Sequence, residues 1–255
     1  MHPRSSKRRT NPYPGALHRK TLMTQHTPSR LTRTIIALAL CACALSTAGC
    51  VVGAAVGGMI ESHRRTSTRP IAAEYTGLAG HNFALLVDVD RQIQANFADL
   101  QTYIASQITA RLIDPANAVA ATGYVPSGAI MEYQFANPSW PAKTYEEIAD
   151  YFSTPDAPVT RLILIEITEF RLSEPGNAYL WDGRAAARVG VVELDSYAPN
   201  EFAYVRDIQV RFPDGEGFGP QDMPASTVYT NLLARTIDRT SWLLYLHEEP
   251  YYPDY

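Results

Sequence analysis

The chain has 255 residues, 46% hydrophobic and 19% charged, which are the proportions of a globular protein of one or two domains and exclude wholesale disorder. Its charge is segregated: residues 1–49 hold eight Lys/Arg and no Asp or Glu, whereas residues 50–255 hold 14 basic against 26 acidic residues, a net of −12 with His neutral. So acidic a body repels phosphate backbones, which excludes nucleic acid as the expected partner, and the basic leader reads as a targeting feature.

Residues 1–22 add basic and turn-forming residues, and Met23 begins a more economical leader, MTQHTPSRLTRTIIALALCACALSTAGC, at which translation is expected to start. A polar start with Arg30 and Arg33, an apolar run over 35–45 and the small residues Ser46, Thr47, Ala48 and Gly49 follow the order of a secretory signal peptide. STAGC at 46–50 resembles the lipobox of bacterial lipoproteins, with Thr47 at the position where Leu is usual. The resemblance implies cleavage between Gly49 and Cys50, a diacylglyceryl thioether on the Cys50 sulfur and acylation of the new amine by a palmitate-type chain. Val51, rather than Asp, follows the cysteine, which by the same resemblance favours the outer membrane, on its periplasmic face.

The three cysteines have other readings. Cys41 and Cys43 lie inside the apolar run, so cleavage removes both and leaves Cys50 without a disulfide partner. A zinc site would need His or Cys at ligand spacing elsewhere, and the sequence offers none. An uncleaved helix over 35–60 stays open, because these 26 residues carry no charge and a bilayer needs roughly 20. GAAVG at 53–57 would let such a helix pack closely on another. The expected organisation is a leader at 1–49, a lipid-anchored flexible spacer at 50–74, an α/β domain at 75–248 and an extended tail at 249–255.

Within the body, NFALLVDV at 82–89 is a continuous apolar run, as a buried strand requires. Ile93, Phe97, Leu100, Ile104, Ile108 and Leu112 then predict a single helix of about 20 residues, stopped at Asp114-Pro115. YVPSGAIMEYQF at 124–135 reads as a second short strand, and PAKTYEEIADYF at 141–152 as a helix with Thr144 and Glu147 forming a capping box. VTRLILIEITEFRL at 159–172 is β-branched like a central strand. In 177–196, Trp181, Ala185, Ala187, Val189 and Val191 alternate with Asp182, Arg184 and Arg188, and in 202–212 Tyr204, Ile208, Val210 and Phe212 share one face. PDGEGFG at 213–219 is a turn, and a last helix is expected over 226–247, with Pro250 beyond it. The order β-α-β-α-β-β-β-α predicts one α/β domain, α+β-like, with helices packed on a single mixed sheet.

AEYTGLAGHNFALLVDV at 73–89, the long helix after it and the three-strand meander ending in a helix resemble the N-terminal domain of TolB-type translocation proteins and the curli-export lipoproteins. That resemblance covers roughly residues 75–248 and implies a non-catalytic envelope domain that docks to other proteins.

LLVDVDRQ carries the sharpest enzyme-like signal. A strand ending in Asp88-Val89-Asp90 resembles the nucleophile motif of haloacid-dehalogenase-type phosphatases, though Gln92 stands where Thr or Val is usual and Lys143 is the single lysine after residue 49. The plainer reading is two Asp closing a strand. Glu166 and Glu169 lie three apart on a strand, hence on opposite faces, which argues against a paired-carboxylate site. His247, Glu248 and Glu249 read as a solvated helix end lacking the second His of a zinc-protease helix. Trp140, between prolines, reads either as an interface anchor or as a core plug. The expectation is therefore a non-enzymatic protein with no catalytic residue, metal or cofactor, partnered by the membrane through Cys50 and by envelope proteins. The alternative is a ligand-binding or hydrolytic domain using Asp88 and Asp90. A polar pocket converging on those two residues would mark the alternative, and an open strand edge or aromatic patch would mark a scaffold.

Overall fold

A computed structural model describes residues 68–177 and 179–250, all within one compact unit that begins at residue 61. Cys50, the cleavage position at Gly49 and the 35–60 segment lie outside the described residues. Among the described residues no helix is long and apolar enough to cross a membrane.

The sheet is founded on two apolar strands. In β2 (Asn82–Val89), every residue from Phe83 to Val87 is at most 1% exposed, so both faces are covered. It pairs in parallel with β4 (Arg161–Ser173), from Phe83 opposite Arg161 to Val89 opposite Ile167. The two-residue β3 (Gly123–Tyr124) adds in parallel on the other side of β2. Two long antiparallel strands, β5 (Trp181–Glu193) and β6 (Phe202–Phe212), continue beyond β4, giving the order β3-β2-β4-β5-β6. This open mixed sheet is the α/β, α+β-like fold expected. A second, two-stranded sheet joins β1 (Thr68–Ile71) to β7 (His247–Pro250) in antiparallel pairing.

The helices are α1 (Arg91–Asn96), α2 (Leu100–Ile113), α3 (Ser127–Ala136), α4 (Tyr145–Phe152) and α5 (Ala225–Trp242). On one face of the sheet, Leu85, Val87, Ile163, Ile165 and Val189 pack with Ile104 and Ile108 of α2 and Leu232 and Ile237 of α5. On the other face, Leu86, Leu162 and Val192 pack with Ile130 and Tyr133 of α3 and Ile148 of α4. The second cluster stops at Val192, so Arg184, Arg188, Asp207, Gln209 and Arg211 remain exposed on that face of β5 and β6.

Four elements differ from the sequence reading. The helix over 93–112 is two helices, broken at Phe97, whose ring turns inward to meet Phe170 edge-on at 5.0 Å and to stack on Tyr229 at 5.7 Å. The strand expected at 124–135 is mostly α3, because Ile130, Tyr133 and Gln134 are buried at helical spacing. The last helix ends at Trp242, where Leu243, Leu244 and Tyr245 are buried in succession, a run that no single helical stripe accommodates. Pairing of β1 with β7 also recruits 68–71, assigned above to the spacer, and Glu249 and Pro250, assigned to the tail. The Thr144–Glu147 capping box forms as the spacing predicts.

Candidate functional site

The strand register sets charged side chains in rows across the uncovered face. Asp88, Glu166, Arg188 and Asp207 occupy one row, and Arg171, Arg184 and Arg211 another. Like charges directly opposite one another repel, so the arginine row needs a compensating anion. Asp182 supplies it, accepting from Arg171 Nη2 at 3.0 Å and lying 3.1 Å from both Arg184 Nε and Arg211 Nε. Burial pushes the Asp182 carboxyl up, but hydrogen bonds and charges from Arg171 and Arg184 outweigh it and hold the group below the usual carboxylate range.

This row also corrects the reading of Glu166 and Glu169. A bulge between Ile167 and Glu169 places Glu166 opposite Arg188 and Glu169 opposite Ala186, two residues apart on β5. The two carboxylates therefore share a face. Glu169 is taken up by Arg171 Nε at 2.6 Å, and Arg188 donates to Asp207 at 2.9 Å.

Where β6 borders α5 and the β1–β7 sheet lies a groove of about 1020 Å³. Six arginines line it (Arg69, Arg184, Arg206, Arg211, Arg235 and Arg239), with five carboxylates (Glu74, Glu169, Asp207, Asp214 and Glu249). Arg235 grips Asp214 through both terminal nitrogens, at 2.5 and 2.7 Å, and also donates to the Arg211 carbonyl at 2.6 Å. That grip holds the Asp214 carboxyl below its ordinary range. Arg239 donates to Glu249 at 2.9 Å, and the His247 ring stacks flat on Trp242 at 4.5 Å. At the opposite end Tyr204 donates to Glu74 at 2.9 Å, with Arg206 3.6 Å from the same carboxylate. Burial, then this hydrogen bond, pushes the Tyr204 phenol well up.

The sequence-predicted residues sit elsewhere or in other roles. Asp88 and Asp90 do not line the groove. Asp90 caps α1, accepting from the Gln92 amide at 2.7 Å. Burial pushes the Asp88 carboxyl up, outweighing a hydrogen bond from the Val89 backbone N–H that lowers it, and the nearby charge of Asp90 adds to the rise. Gln101 and Gln134 both donate to the Val87 carbonyl, at 2.7 and 2.9 Å, and so close the strand end beside Asp88. His247, Glu248 and Glu249 form strand β7 rather than a solvated helix end, and Glu249 is buried against Arg239. Trp140 is buried in the second core cluster, which is the plug reading. Among the described residues no three His, Cys, Asp or Glu gather in a metal-binding arrangement.

Two features escaped the sequence reading. Arg161, 5% exposed at the start of β4, donates to the carbonyls of Gly77 and Thr160 and to Asp195, and sits 3.1 Å from His81 Nε2. Burial raises the Asp195 carboxyl, but its bond to Arg161 outweighs this and the group stays low. The other is the groove itself. Its signal was Arg206, a charged residue at an inward position of the 202–212 alternation, opposite buried Val189.

No family model and no curated protein matches the chain. Solved structures give distant likenesses. The lipoprotein GNA1162 of Neisseria meningitidis is 11% identical with a TM-score of 0.39, over 62% of this chain and 96% of that one. The PelC dodecamer of Paraburkholderia phytofirmans is 12% identical with a TM-score of 0.34, over 70% and 98%. A DUF330 protein of Xanthomonas campestris is 8% identical with a TM-score of 0.36, over 66% and 85%.

Proposed function

We propose that this protein is an exported envelope lipoprotein, cleaved before Cys50 and tethered there by acyl chains, whose α/β body is a non-catalytic docking domain for other envelope proteins. The leader supports the location: a basic start, an apolar run of signal length and STAGC precede an acidic body. Two or more acyl chains on one residue give the stable attachment that a single chain does not. Val51 after the cysteine favours the outer membrane, and the element order resembling TolB-type and curli-export domains favours an accessory role in assembly or transport.

The observation that carries the docking role is the edge of β6. Among the described residues β6 pairs on one side only, with ten of its eleven residues in register with β5, and leaves a row of backbone donors and acceptors on the other. Such an edge is a template for another strand. Asp90, by contrast, spends its carboxylate on a helix cap, which suits a closing residue better than an acid catalyst.

Radiolabelled fatty-acid incorporation tests the anchor. The wild-type protein is expected to take up label and fractionate with membranes, and Cys50→Ala to remain unlabelled and retain its leader. An unmodified thiol at Cys50, or a native chain still carrying residues 35–49, overturns the reading.

A further inference from the structure

We propose that the arginine-lined groove takes an extended acidic peptide strand, which pairs by its backbone with the open edge of β6. The inference deepens the docking reading and rests on it.

Backbone orientation gives the first argument. Arg235 donates to the Arg211 carbonyl from the side of α5, so Arg211 turns its backbone groups away from β5. In an antiparallel ladder residues alternate between facing their partner strand and facing away. Gln209, Asp207 and Val205 therefore present their backbone groups to the same open side. Arg211 is already engaged by Arg235, which leaves 205–209 as the stretch to be paired. The groove runs along it, lined by 206–211.

Charge gives the second. The body carries −12, yet six of its 14 basic residues line this one groove against five of its 26 acidic residues, with Asp182 behind Arg184 and Arg211 bringing the charges level, so the groove is close to neutral on an acidic molecule. An acidic partner meets less repulsion here than the body's net charge would impose. Arg69 and Arg206 stand exposed at the groove, and guanidinium forks match carboxylates two bonds at a time. Ile208, Val210 and Trp242 add apolar wall between the charges, the alternation that a strand with every second side chain acidic would meet.

Size and chemistry select the occupant. At about 1020 Å³ the groove reaches the upper end of small-ligand pockets, roughly 300–1,000 Å³, and suits a chain segment. An anionic lipid headgroup would satisfy the arginines but would leave the backbone row of β6 unpaired, whereas a peptide satisfies both.

The test uses the full chain in neutral detergent and a fluorescent peptide of about eight residues alternating Glu and Thr, long enough to pair the exposed stretch. Comparators are the same peptide with Lys for Glu, the acidic peptide N-methylated at alternate residues, and phosphatidylglycerol vesicles. The acidic peptide is expected to bind, to weaken as salt rises and to slow amide exchange at 205–209. Arg69→Glu and Arg206→Glu, both at exposed positions and each checked for an unchanged melting curve, are expected to weaken it about tenfold, as is N-methylation. Absence of binding, equal binding of the Lys peptide, indifference to N-methylation or to both substitutions, or vesicle binding that displaces the peptide would each overturn the proposal. Peptide binding in detergent does not depend on acylation, so an unlabelled Cys50 and an empty groove are separate failures.

Discussion

The two halves of the sheet obey different rules. β2 and the first part of β4 lie between two helical layers and are apolar on both faces, while β5 and β6 are covered on one face and carry charge on the other. The covered half makes the fold; the uncovered half holds the groove, the arginine row and the open edge. Burial on both faces leaves no room for adaptable chemistry, whereas a half-covered antiparallel sheet can vary its outer face without losing its core.

If that division is correct, substitutions should sort by half. Leu86→Ala, in the strand covered on both sides, is expected to cost about 2–5 kcal/mol in denaturant unfolding, through lost burial plus a cavity. Gln209→Ala on the outer face should stay within about 0.5 kcal/mol. A similar cost for the two would break the comparison. Arg161→Leu is expected to cost about 3 kcal/mol, because it strips a buried cation from Asp195 and takes its donor from the Gly77 carbonyl, while the Thr160 carbonyl keeps the Leu194 amide.

Acid titration sharpens the contrast within the carboxylates. Asp182, Asp195 and Asp214 have folded values below their unfolded ones, so the stability they contribute is present above the unfolded carboxylate range and is lost as pH falls through the lowered values. Asp88 is raised and has the opposite sign: its ionised form disfavours the fold at neutral pH, and protonation relieves it. Asp182→Asn is expected to cost about 1–3 kcal/mol at pH 7 and to flatten the acid limb of a melting-temperature profile. Asp88→Asn should raise the melting temperature at pH 7 and shrink its rise on acidification. A loss of stability in Asp88→Asn would show that the Val89 backbone bond to the ionised form outweighs the cost of burying it.

A further small effect concerns the loop before β3. Ala118 and Ala120 adopt left-handed backbone at φ 52° and 56°, where a Cβ costs roughly 1–2 kcal/mol. Ala120→Gly relieves that strain but loosens the unfolded chain, so a gain of under about 1 kcal/mol is expected. Clear destabilisation would mean that the methyl group is packed for a purpose.

The same division governs what could be read from sequence. The covered strands announced themselves as apolar runs, and the alternation in 181–191 and 202–212 assigned the inward face of β5 and β6 correctly. The capping box at Thr144 was legible because its two bonds are local. What escaped was non-local or unmarked. The break at Phe97 has no Gly or Pro to announce it and serves an aromatic cluster completed by Tyr229, far along the chain. α3 was hidden because Ile130, Tyr133 and Phe135 favour strands, while only the spacing of its buried positions is helical. The bulge at Thr168, which reverses the relation of Glu166 to Glu169, has no sequence mark. β1 and β7 are four residues each, polar and paired across almost the whole body, so neither shows an apolar pattern of its own. Beyond Arg206 at its inward position the groove had no mark in the sequence, for the same reason: its walls come from β1, β4, β5, β6, α5 and β7 together.

The central claim is that the uncovered edge of β6 is where this protein meets its partners. Site-specific photocrosslinking in intact envelopes addresses it most directly, with a benzophenone side chain at Gln209 on the edge strand or at exposed Glu132 on α3. A discrete adduct from position 209 that disappears in Arg206→Glu, with none from position 132, is the predicted result. Adducts from 132 alone, or from both positions regardless of Arg206, would contradict it.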